Sequence, residues 1–433
     1  MRVAVLGAGF AGLSCGHYLL KAGIEPVLFE SDEGVGGRAA AFLHDGQPID
    51  RFPQLIHGND SALIGVMAEH EALGRLVWND ASMSVLADGV QRPLTTPLDL
   101  LRFDALRPSL RLRTAWAVYH ATRLQRFGMR LDTVPADRWL LDLFGSEVYT
   151  TLWQPFLHSV FGDRIDQLPA YWVWERLHRE KNGHASTRGA LRGGIGWLAE
   201  QMRSSIEKRG GAVRAGQPVS GIEELPSGVC VYFNGHEERF DAVISTLRIP
   251  ALFKIARGLL AARIPNPNLE YRSLVNAVVI SGAPLQPYYW TVLGDPDAEF
   301  DEIHETTQVI PTEWTGGRHV THFSKHCRED EEIFRRPDDA VRDEVLRSLA
   351  QRFPEADTSS IEAIQVFRAR SAQPIWPLGY LDKRPALRTA DAPLYLCCNE
   401  QAYPRLTTTC HAAVTLARET VSKLRGDFLD RLR

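Results

Sequence analysis

The chain has 433 residues, a formal net charge of -4 with histidine neutral, and 44% hydrophobic and 24% charged residues. This is the composition of an ordinary globular protein, and the length exceeds what one hydrophobic core usually spans, so we expect two interleaved domains. The small charge excess gives no reason to expect a nucleic-acid partner. The six cysteines lack disulfide or zinc spacing, which favours a reducing, cytoplasmic location. The sequence contains no run of about 18 apolar residues, so we predict no membrane-spanning helix.

The N-terminus has the pattern of a dinucleotide-binding unit. Residues 2–6 form an apolar run typical of a buried parallel strand, and the loop 7–12 reads GAGFAG. In this GxGxxG pattern the first glycine permits a turn, the second lets a diphosphate approach the backbone, and the third lets the helix pack closely. A helix to about residue 22 and a strand over residues 24–29 should follow.

Glu30 ends the second predicted strand and is placed to accept both hydroxyls of an adenosine ribose. The alternative is a solvated acid at the end of a strand. The nearby stretch GVGGRAA, residues 34–40, adds a second glycine pair and an arginine. NAD-binding units do not need this pair, whereas FAD extends past the first helix, where Gly36 and Gly37 leave room and Arg38 offers a forked donor. The sequence therefore predicts FAD.

GAGFAGL, Glu30 and GGR together resemble the N-terminal signature of the flavin amine oxidase superfamily, which includes protoporphyrinogen oxidases, phytoene-type desaturases and monoamine or polyamine oxidases. Residues 191–198, 240–246 and 394–399 and the threonine-rich start of the last helix extend the resemblance along the chain. We expect residues 394–399 to form a buried strand and the last helix to run to about residue 424. It implies an α/β fold, with a Rossmann-like FAD-binding domain of the amine oxidase type and an inserted α+β substrate domain. We predict a discontinuous FAD-binding domain (1–75, 185–255 and 385–433), with a helical segment (76–184) and a mixed-sheet segment (256–384) forming the substrate domain.

The glycine motifs and the resemblance together nominate a set of FAD-binding residues: Gly7, Gly9, Phe10, Ala11, Gly12, Glu30, Ser31, Gly36, Gly37, Arg38, Val219, Thr246, Asn399, Glu400, Thr408 and Thr409. Three departures from the family pattern affect the substrate assignment. Phe52-Pro53 replaces a usual glycine, Asn399 stands where many relatives have aspartate, and Arg405-Leu406 replaces an acidic run.

Residues 102–130 contain seven arginines and a single acidic residue, Asp104, interleaved with large apolar side chains. This mixture fits a solvated helix face with snorkelling arginines, and it also fits a peripheral membrane contact or an anionic substrate. Residues 270–384 alternate like strands, and the resemblance implies that such a sheet floors the substrate pocket over the flavin ring.

A flavin enzyme needs neither a protein nucleophile nor a metal, because the protein positions a C–H bond and manages protons. His57, in a loop resembling that of polyamine oxidases, is a candidate base or orienting donor, with a packed loop histidine as the alternative. His411 and Arg370 are further candidates, and Tyr289, Trp290 and Tyr403 are candidate pocket walls. No metal is expected, because the histidines lack ligand spacing.

The leading hypothesis is an FAD-dependent oxidoreductase that transfers hydride from a small organic substrate to flavin N5, with oxygen or a quinone as electron acceptor. The pattern is nearer protoporphyrinogen oxidases and desaturases than amine oxidases. The alternatives are a non-redox flavin mutase acting on a nucleotide sugar and a non-enzymatic flavoprotein.

Overall fold

The computed structural model describes residues 1–124, 128–182, 187–295, 297–404 and 409–431. The strands over these residues are, in chain order, β1 Arg2–Leu6, β2 Glu25–Phe29, β3 Ala41–His44, β4 Gln47–Asp50, β5 Leu76–Asp80, β6 Met83–Ala87, β7 Val90–Pro93, β8 Thr187–Leu191, β9 Ala212–Arg214, β10 Val219–Leu225, β11 Gly228–Phe233, β12 His236–Phe240, β13 Ala242–Ser245, β14 Glu270–Ser281, β15 Trp290–Leu293, β16 Glu302–Glu305, β17 His319–Cys327, β18 Ile361–Ile375 and β19 Leu394–Leu396.

The α-helices over the same residues are α1 Phe10–Lys21, α2 Ser61–Glu69, α3 Pro97–Arg102, α4 Pro108–Tyr119, α5 Ala136–Phe144, α6 Ser146–Val148, α7 Gln154–Phe161, α8 Ala170–Asn182, α9 Gly194–Lys208, α10 Ile249–Ile255, α11 Gly258–Arg263, α12 Glu332–Arg335, α13 Asp338–Arg352, α14 Tyr380–Lys383, α15 Asn399–Ala402 and α16 Cys410–Arg431. Two π-helical turns occur at His120–Leu124 and Tyr149–Trp153. Among the helices of the described residues, none combines the length and apolar character that crossing a membrane requires.

A parallel five-stranded sheet, in the order β19-β13-β1-β2-β9, lies at the centre of the nucleotide-binding half. Side chains alternate across β1: Val3 and Val5 pack with α1, α9 and α16 on one face. Ala4 and Leu6 pack on the other face with α10 and the antiparallel sheet β10-β11-β12. A sheet covered on both faces explains the continuous apolar run of β1. This architecture confirms the predicted α/β class.

A second sheet has seven strands, in the order β18-β14-β17-β16-β15-β6-β7. One face of β14, with Val275, Ala277 and Val279, packs against α12 and α13. The other face carries Asn276, Val278 and Ile280, and the last two contact Ile49 of β4. The strands β5, β6 and β7 lie in the segment 76–184 that was predicted to be helical. The prediction of helix is therefore wrong for the first part of this segment, which forms strands.

The short strands β6 and β7 explain this correction. β6 pairs in parallel with β15, from Met83 opposite Trp290 to Leu86 opposite Leu293. The partner of β6 is therefore about 200 residues away in the chain, and local periodicity does not reveal such pairing. From α3 onward the segment is helical and has its own core, which includes Leu140, Phe144 and Leu157. The domain boundaries themselves remain a prediction.

The C-terminal segment also differs from expectation. The strand β19 ends at Leu396, and residues 399–402 form a helical turn where a strand through residue 399 was expected. The Cys398 backbone N–H donates to Gln401 Oε1 at 3.0 Å, so the Gln401 side chain caps the start of this turn. The last helix runs to Arg431, beyond the predicted end near residue 424.

Candidate functional site

The first glycine loop is tightly constrained. A Cβ atom on Gly12 would lie 1.9 Å from the Gly7 carbonyl oxygen, so any side chain there would force the loop apart. Gly7 itself has φ +94°, and a Cβ on it would lie 2.6 Å from Thr246 Oγ1. Thr246, at the end of β13, donates this hydroxyl to the Leu6 carbonyl at 2.7 Å. The loop therefore presents backbone alone between β1 and the start of α1, where helical N–H groups attract a phosphate.

The second glycine pair lies directly beside the first loop. The Gly36 N–H donates to the Ala8 carbonyl at 2.9 Å, and Gly36 forms an isolated β-bridge with Gly9. Gly36 and Gly37 both have positive φ, +98° and +58°. A Cβ on Gly37 would approach Gly9 Cα to 3.3 Å. The two loops thus form one surface built from backbone, which is what a diphosphate and an extended chain beyond it require.

Glu30 lies at the end of β2 beside this surface. Its carboxylate accepts the Ala8 N–H at 2.8 Å and the N–H of Ser31 at 2.8 Å. The Glu30 carbonyl accepts the Gln217 N–H at 2.7 Å, which holds the segment leading to Val219 and β10 against the same edge. Phe10 and Ala11 form the first turn of α1. The structure therefore brings the predicted ribose acid, the loop residues and the Val219 segment together.

Two arginines converge on one carbonyl oxygen next to the glycine surface. Arg38 Nη1 donates to the Ala372 carbonyl at 2.9 Å, and Arg248 Nη2 donates to the same oxygen at 3.1 Å. Burial, reinforced by the neighbouring Arg248 guanidinium, lowers the pKa of Arg38 to about 10. The Asn399 amide faces Arg248, and with its oxygen turned toward the guanidinium it accepts two N–H groups at 2.9 Å. The result is a pair of like charges that an anion would stabilise.

Arg248 was not among the predicted site residues. It follows β13 directly, two positions after Thr246, so the only sequence signal was its place just past a strand that ends at the site.

Glu400, a predicted FAD-binding residue, is fully buried. Its Oε1 accepts the Ile249 N–H at 3.0 Å and the hydroxyl of Tyr271. Burial and the Glu400 carboxylate raise the pKa of Tyr271.

Asp50 is a second group that sequence reasoning missed. Its carboxylate faces the first turn of α9, where the N–H groups of Ile195 and Gly196 lie at 3.4 Å. Burial raises the pKa of Asp50 to about 7, against the opposing effect of these two N–H groups. Burial and the Asp50 charge raise the pKa of the Cys410 thiol to about 12, with Arg38 opposing them. Asp50, Cys410 and Arg38 are therefore neighbours.

The start of α16 completes this neighbourhood. The Cys410 thiol donates to Gln54 Oε1 at 3.7 Å, and Thr409 Oγ1 accepts the Ala412 N–H at 3.2 Å as a helix cap. Thr408 lies outside the described residues. The N-terminal end of this helix therefore faces the loop after β4, where its dipole favours a negative charge.

The three candidate proton-handling residues are placed differently. His57 is half-buried, in a loop that the backbone pair Ile56–Gly189 fixes to β8, and its N–H donates to Asp60 Oδ2 at 2.9 Å. His411 is half-buried in the first turn of α16. The Arg370 side chain is 75% exposed and pairs with Glu329 at 2.7 Å, so its guanidinium lies in solvent.

The candidate pocket walls lie in two places. Tyr403 is buried in the core of the helical segment, where its hydroxyl donates to Asp132 and its ring contacts Trp376. Tyr289 and Trp290 lie at the start of β15, and the ring of Trp290 stacks on His304 with centroids 5.8 Å apart.

A row of polar side chains, missed by sequence reasoning, crosses the seven-stranded sheet from Trp290. His304 pairs in register with both Trp290 and His322. Asn276 Nδ2 contacts His322 Nδ1 at 3.0 Å and also donates to the Arg51 carbonyl at 2.8 Å, next to Asp50. Burial lowers the pKa of His304, and burial together with His304 lowers that of His322 to about 3. Both imidazoles are therefore neutral at physiological pH.

Aromatic side chains from the helical segment cover the Trp290 end of this row. Phe156 of α7 meets Trp290 at 6.1 Å between ring centroids. The Arg176 guanidinium of α8 lies 5.0 Å from the centre of the Phe156 ring, 5.2 Å from that of Trp290 and 5.7 Å from that of Trp172. The sheet and the helices therefore meet across aromatic and neutral polar groups, with the Arg176 cation among the rings.

Within the described residues, His44, Asp45 and Glu362 also bring potential metal-ligand atoms together. Arg318 already forms ion pairs with both carboxylates, at 2.7 Å to Asp45 and 2.5 Å to Glu362. We assign no metal to this exposed cluster, because Arg318 already pairs with both of its carboxylates.

Two adjoining glycine loops, a carboxylate at the end of the second strand and paired cations define a dinucleotide-binding site of the kind that holds FAD. Comparison with known proteins identifies the family. The sequence profile described as Flavin containing amine oxidoreductase matches residues 10–415. The chain therefore belongs to the flavin-containing amine oxidoreductase family, and it is an FAD-dependent oxidoreductase.

The individual relatives are distant. A carotenoid phi-ring synthase from Streptomyces griseus is 24% identical, over 90% of this chain and 81% of its own length. A 15-cis-phytoene desaturase from Synechococcus elongatus is 37% identical, but over only 19% of this chain and 18% of the desaturase. A solved candidate protoporphyrinogen oxidase from Exiguobacterium superposes with TM-score 0.80 at 16% identity, covering 98% of this chain and 99% of its own. Reduced UDP-galactopyranose mutase superposes with TM-score 0.75 at 17% identity, covering 98% and 95%.

The residues present fit FAD. The surface of the two loops has no room for side chains at Gly12 or Gly7, and the two converging guanidiniums match the charge of a diphosphate. The predictions of family, fold class, cofactor and enzyme class are confirmed. The individual site residues remain predictions.

Proposed function

We propose that the enzyme oxidises a largely apolar, conjugated or ring-containing substrate by transfer of a hydride to the flavin. Bound FAD supplies the hydride acceptor at N5, and the protein orients the substrate and limits access of water. The observation that carries the proposal is the row Asn276–His322–His304–Trp290, which begins at the Arg51 contact beside the glycine surface and ends under Phe156 and Arg176.

The neutrality of this row favours the proposal. Because the pKa values of both histidines are lowered, the row offers hydrogen bonds without charge. Neutral donors and aromatic rings suit a planar, C–H-rich molecule with a few polar atoms. A sugar diphosphate would need several cationic partners, whereas the row supplies none and Arg176 is a single cation at its Trp290 end, which counts against a nucleotide-sugar mutase.

In this proposal Arg38, Arg248 and Asn399 hold the diphosphate end of FAD, and Glu30 holds the adenosine ribose. The start of α16, with Thr409 as its cap, would lie at the flavin end of the cofactor, where the helix dipole would favour negative charge. His57 and His411 are the candidates for moving a proton near the substrate, and Tyr289 and Trp290 are candidate walls. Arg370 is left out, because its guanidinium lies in solvent.

The test is anaerobic mixing of the FAD-loaded enzyme with candidate substrates, followed at the flavin absorbance. A polyene or a reduced tetrapyrrole that bleaches the flavin without added reductant supports hydride transfer. Turnover of a nucleotide sugar only after dithionite reduction, with no bleaching by any organic donor, would replace the proposal with the mutase. Oxygen consumption against quinone reduction then identifies the electron acceptor.

A further inference from the structure

The outer face of the helical segment exposes large apolar side chains. On α4, Leu112, Trp116 and Tyr119 are 65%, 60% and 51% exposed, and their spacing places them along one face of the helix. The rings of Trp116 and Tyr119 stack with centroids 5.9 Å apart. On the adjoining α3, Leu98 and Leu101 are 51% and 41% exposed. We call these five residues the α3–α4 patch.

The opposite side of α4 is already used for packing. Thr114 and Ala117 are buried there, and Leu110 and Val118 pack against the helical core. A helix that is apolar on both sides and carries a tryptophan in solvent is not adapted to water alone. We therefore expect another surface to cover the α3–α4 patch.

The charges around the patch are positive. The helix α4 contains Arg111 and Arg113 and no acidic residue, and Arg102 ends α3. Arg111 is held inside the pair of helices, donating to the carbonyl oxygens of Leu101 and Leu106. Arg102 is exposed next to Leu101 at the end of α3, and Arg113 is exposed on α4 with its guanidinium near Gly145.

The nearby acids offset these arginines only in part. Asp99 caps α3 by accepting the Thr96 N–H at 2.7 Å, and Asp104 pairs with Arg92 at 2.5 Å. Apolar side chains bordered by arginine match the boundary of a bilayer that contains anionic lipids.

We propose that the α3–α4 patch docks on an anionic lipid surface. Leucine and aromatic side chains enter the interface between headgroups and acyl chains, while Arg102 and Arg113 contact the headgroups. A second copy of the chain fits less well, because a two-fold interface places the same surface on both sides and would set these arginines against their own copies. The contact is peripheral.

The experiment is sedimentation of the FAD-loaded enzyme with vesicles of phosphatidylcholine, with and without phosphatidylglycerol. The wild-type enzyme should sediment with the anionic vesicles, and high salt should reduce binding. The double variant Leu112→Ser/Trp116→Ser should bind at least 10-fold more weakly. The matched control Leu259→Ser removes another highly exposed leucine, on α11, and should bind like the wild type.

An unchanged flavin spectrum shows that each variant has folded, so a loss of binding is not a loss of structure. Equal sedimentation of the double variant and the control would overturn the proposal. The proposal would also be overturned if the wild-type enzyme does not bind anionic vesicles but forms a dimer that the double variant does not form.

Discussion

Asp50 offers a test that needs no substrate. Its carboxyl is half-buried between the first turn of α9 and Cys410, and burial raises its pKa from 3.8 to about 7. In the unfolded chain the same carboxyl ionises near its ordinary pKa. Between these two values the folded protein holds a proton that the unfolded chain has released, so the free energy of unfolding must fall as pH rises.

The size of this effect follows from the two pKa values. Complete burial would make the loss at most ~4 kcal/mol between pH 3.8 and about 7. Water reaches this half-buried group, so we expect about 2 kcal/mol. The stabilisation is complete below pH 3.8 and is lost as pH rises through 7. Asp50→Asn keeps an oxygen facing the N–H groups of α9 but cannot ionise, so it should lack this dependence.

The assay is urea unfolding of the apoprotein between pH 4 and pH 8, followed by tryptophan fluorescence. The wild type should lose about 2 kcal/mol more than Asp50→Asn across this range, so that the variant is the more stable protein at pH 8. Asp382→Asn, which removes an exposed carboxyl on α14, is the control and should follow the wild type. Parallel pH curves for wild type and Asp50→Asn would refute the assigned protonation.

Three further substitutions test the cofactor site and the chemistry. Arg248→Ala should weaken FAD binding by about 2 kcal/mol and flatten its salt dependence, because one of two charge-assisted donors is lost; a fluorescence titration giving the wild-type Kd would remove Arg248 from the site. Glu30→Ala should weaken FAD binding by roughly 2–4 kcal/mol while Glu30→Gln loses less, and equal retention of FAD by all three proteins would place Glu30 outside the site. His57→Ala should keep its flavin spectrum but slow substrate-driven flavin reduction by about 10²-fold, as for a lost general base. If stopped-flow reduction is unchanged and thermal stability falls instead, His57 only packs its loop.

The sequence could predict what depends on neighbours in the chain. The strand β1, the glycine loop, α1 and β2 are specified by short patterns, and the structure has their ends within one or two residues of those expected. The apolar alternation of β14 and β17 was likewise visible as strand.

What the sequence did not reveal depends on distant partners. Arg248 and Arg38 meet only because Ala372, in β18, presents its carbonyl to both. Asp50 has an unusual pKa only because α9 and α16 bury it. The polar row across the seven-stranded sheet needs the registers of four strands, and no local pattern encodes them.

The order of the five-stranded sheet has a consequence for how the protein is made. Its strands come from residues 2–6, 25–29, 212–214, 242–245 and 394–396, and β13 lies between β1 and β19. During synthesis β1 and β2 leave the ribosome long before β13 is available to pair with β1. In turn, β13 is made about 150 residues before its other partner, β19. Such long-range pairing makes folding slow and leaves apolar strand edges exposed to aggregation in the nascent chain. Chaperone supply and translation speed should therefore govern the yield of soluble protein, and a fragment that stops before β19 would leave β13 with an open edge.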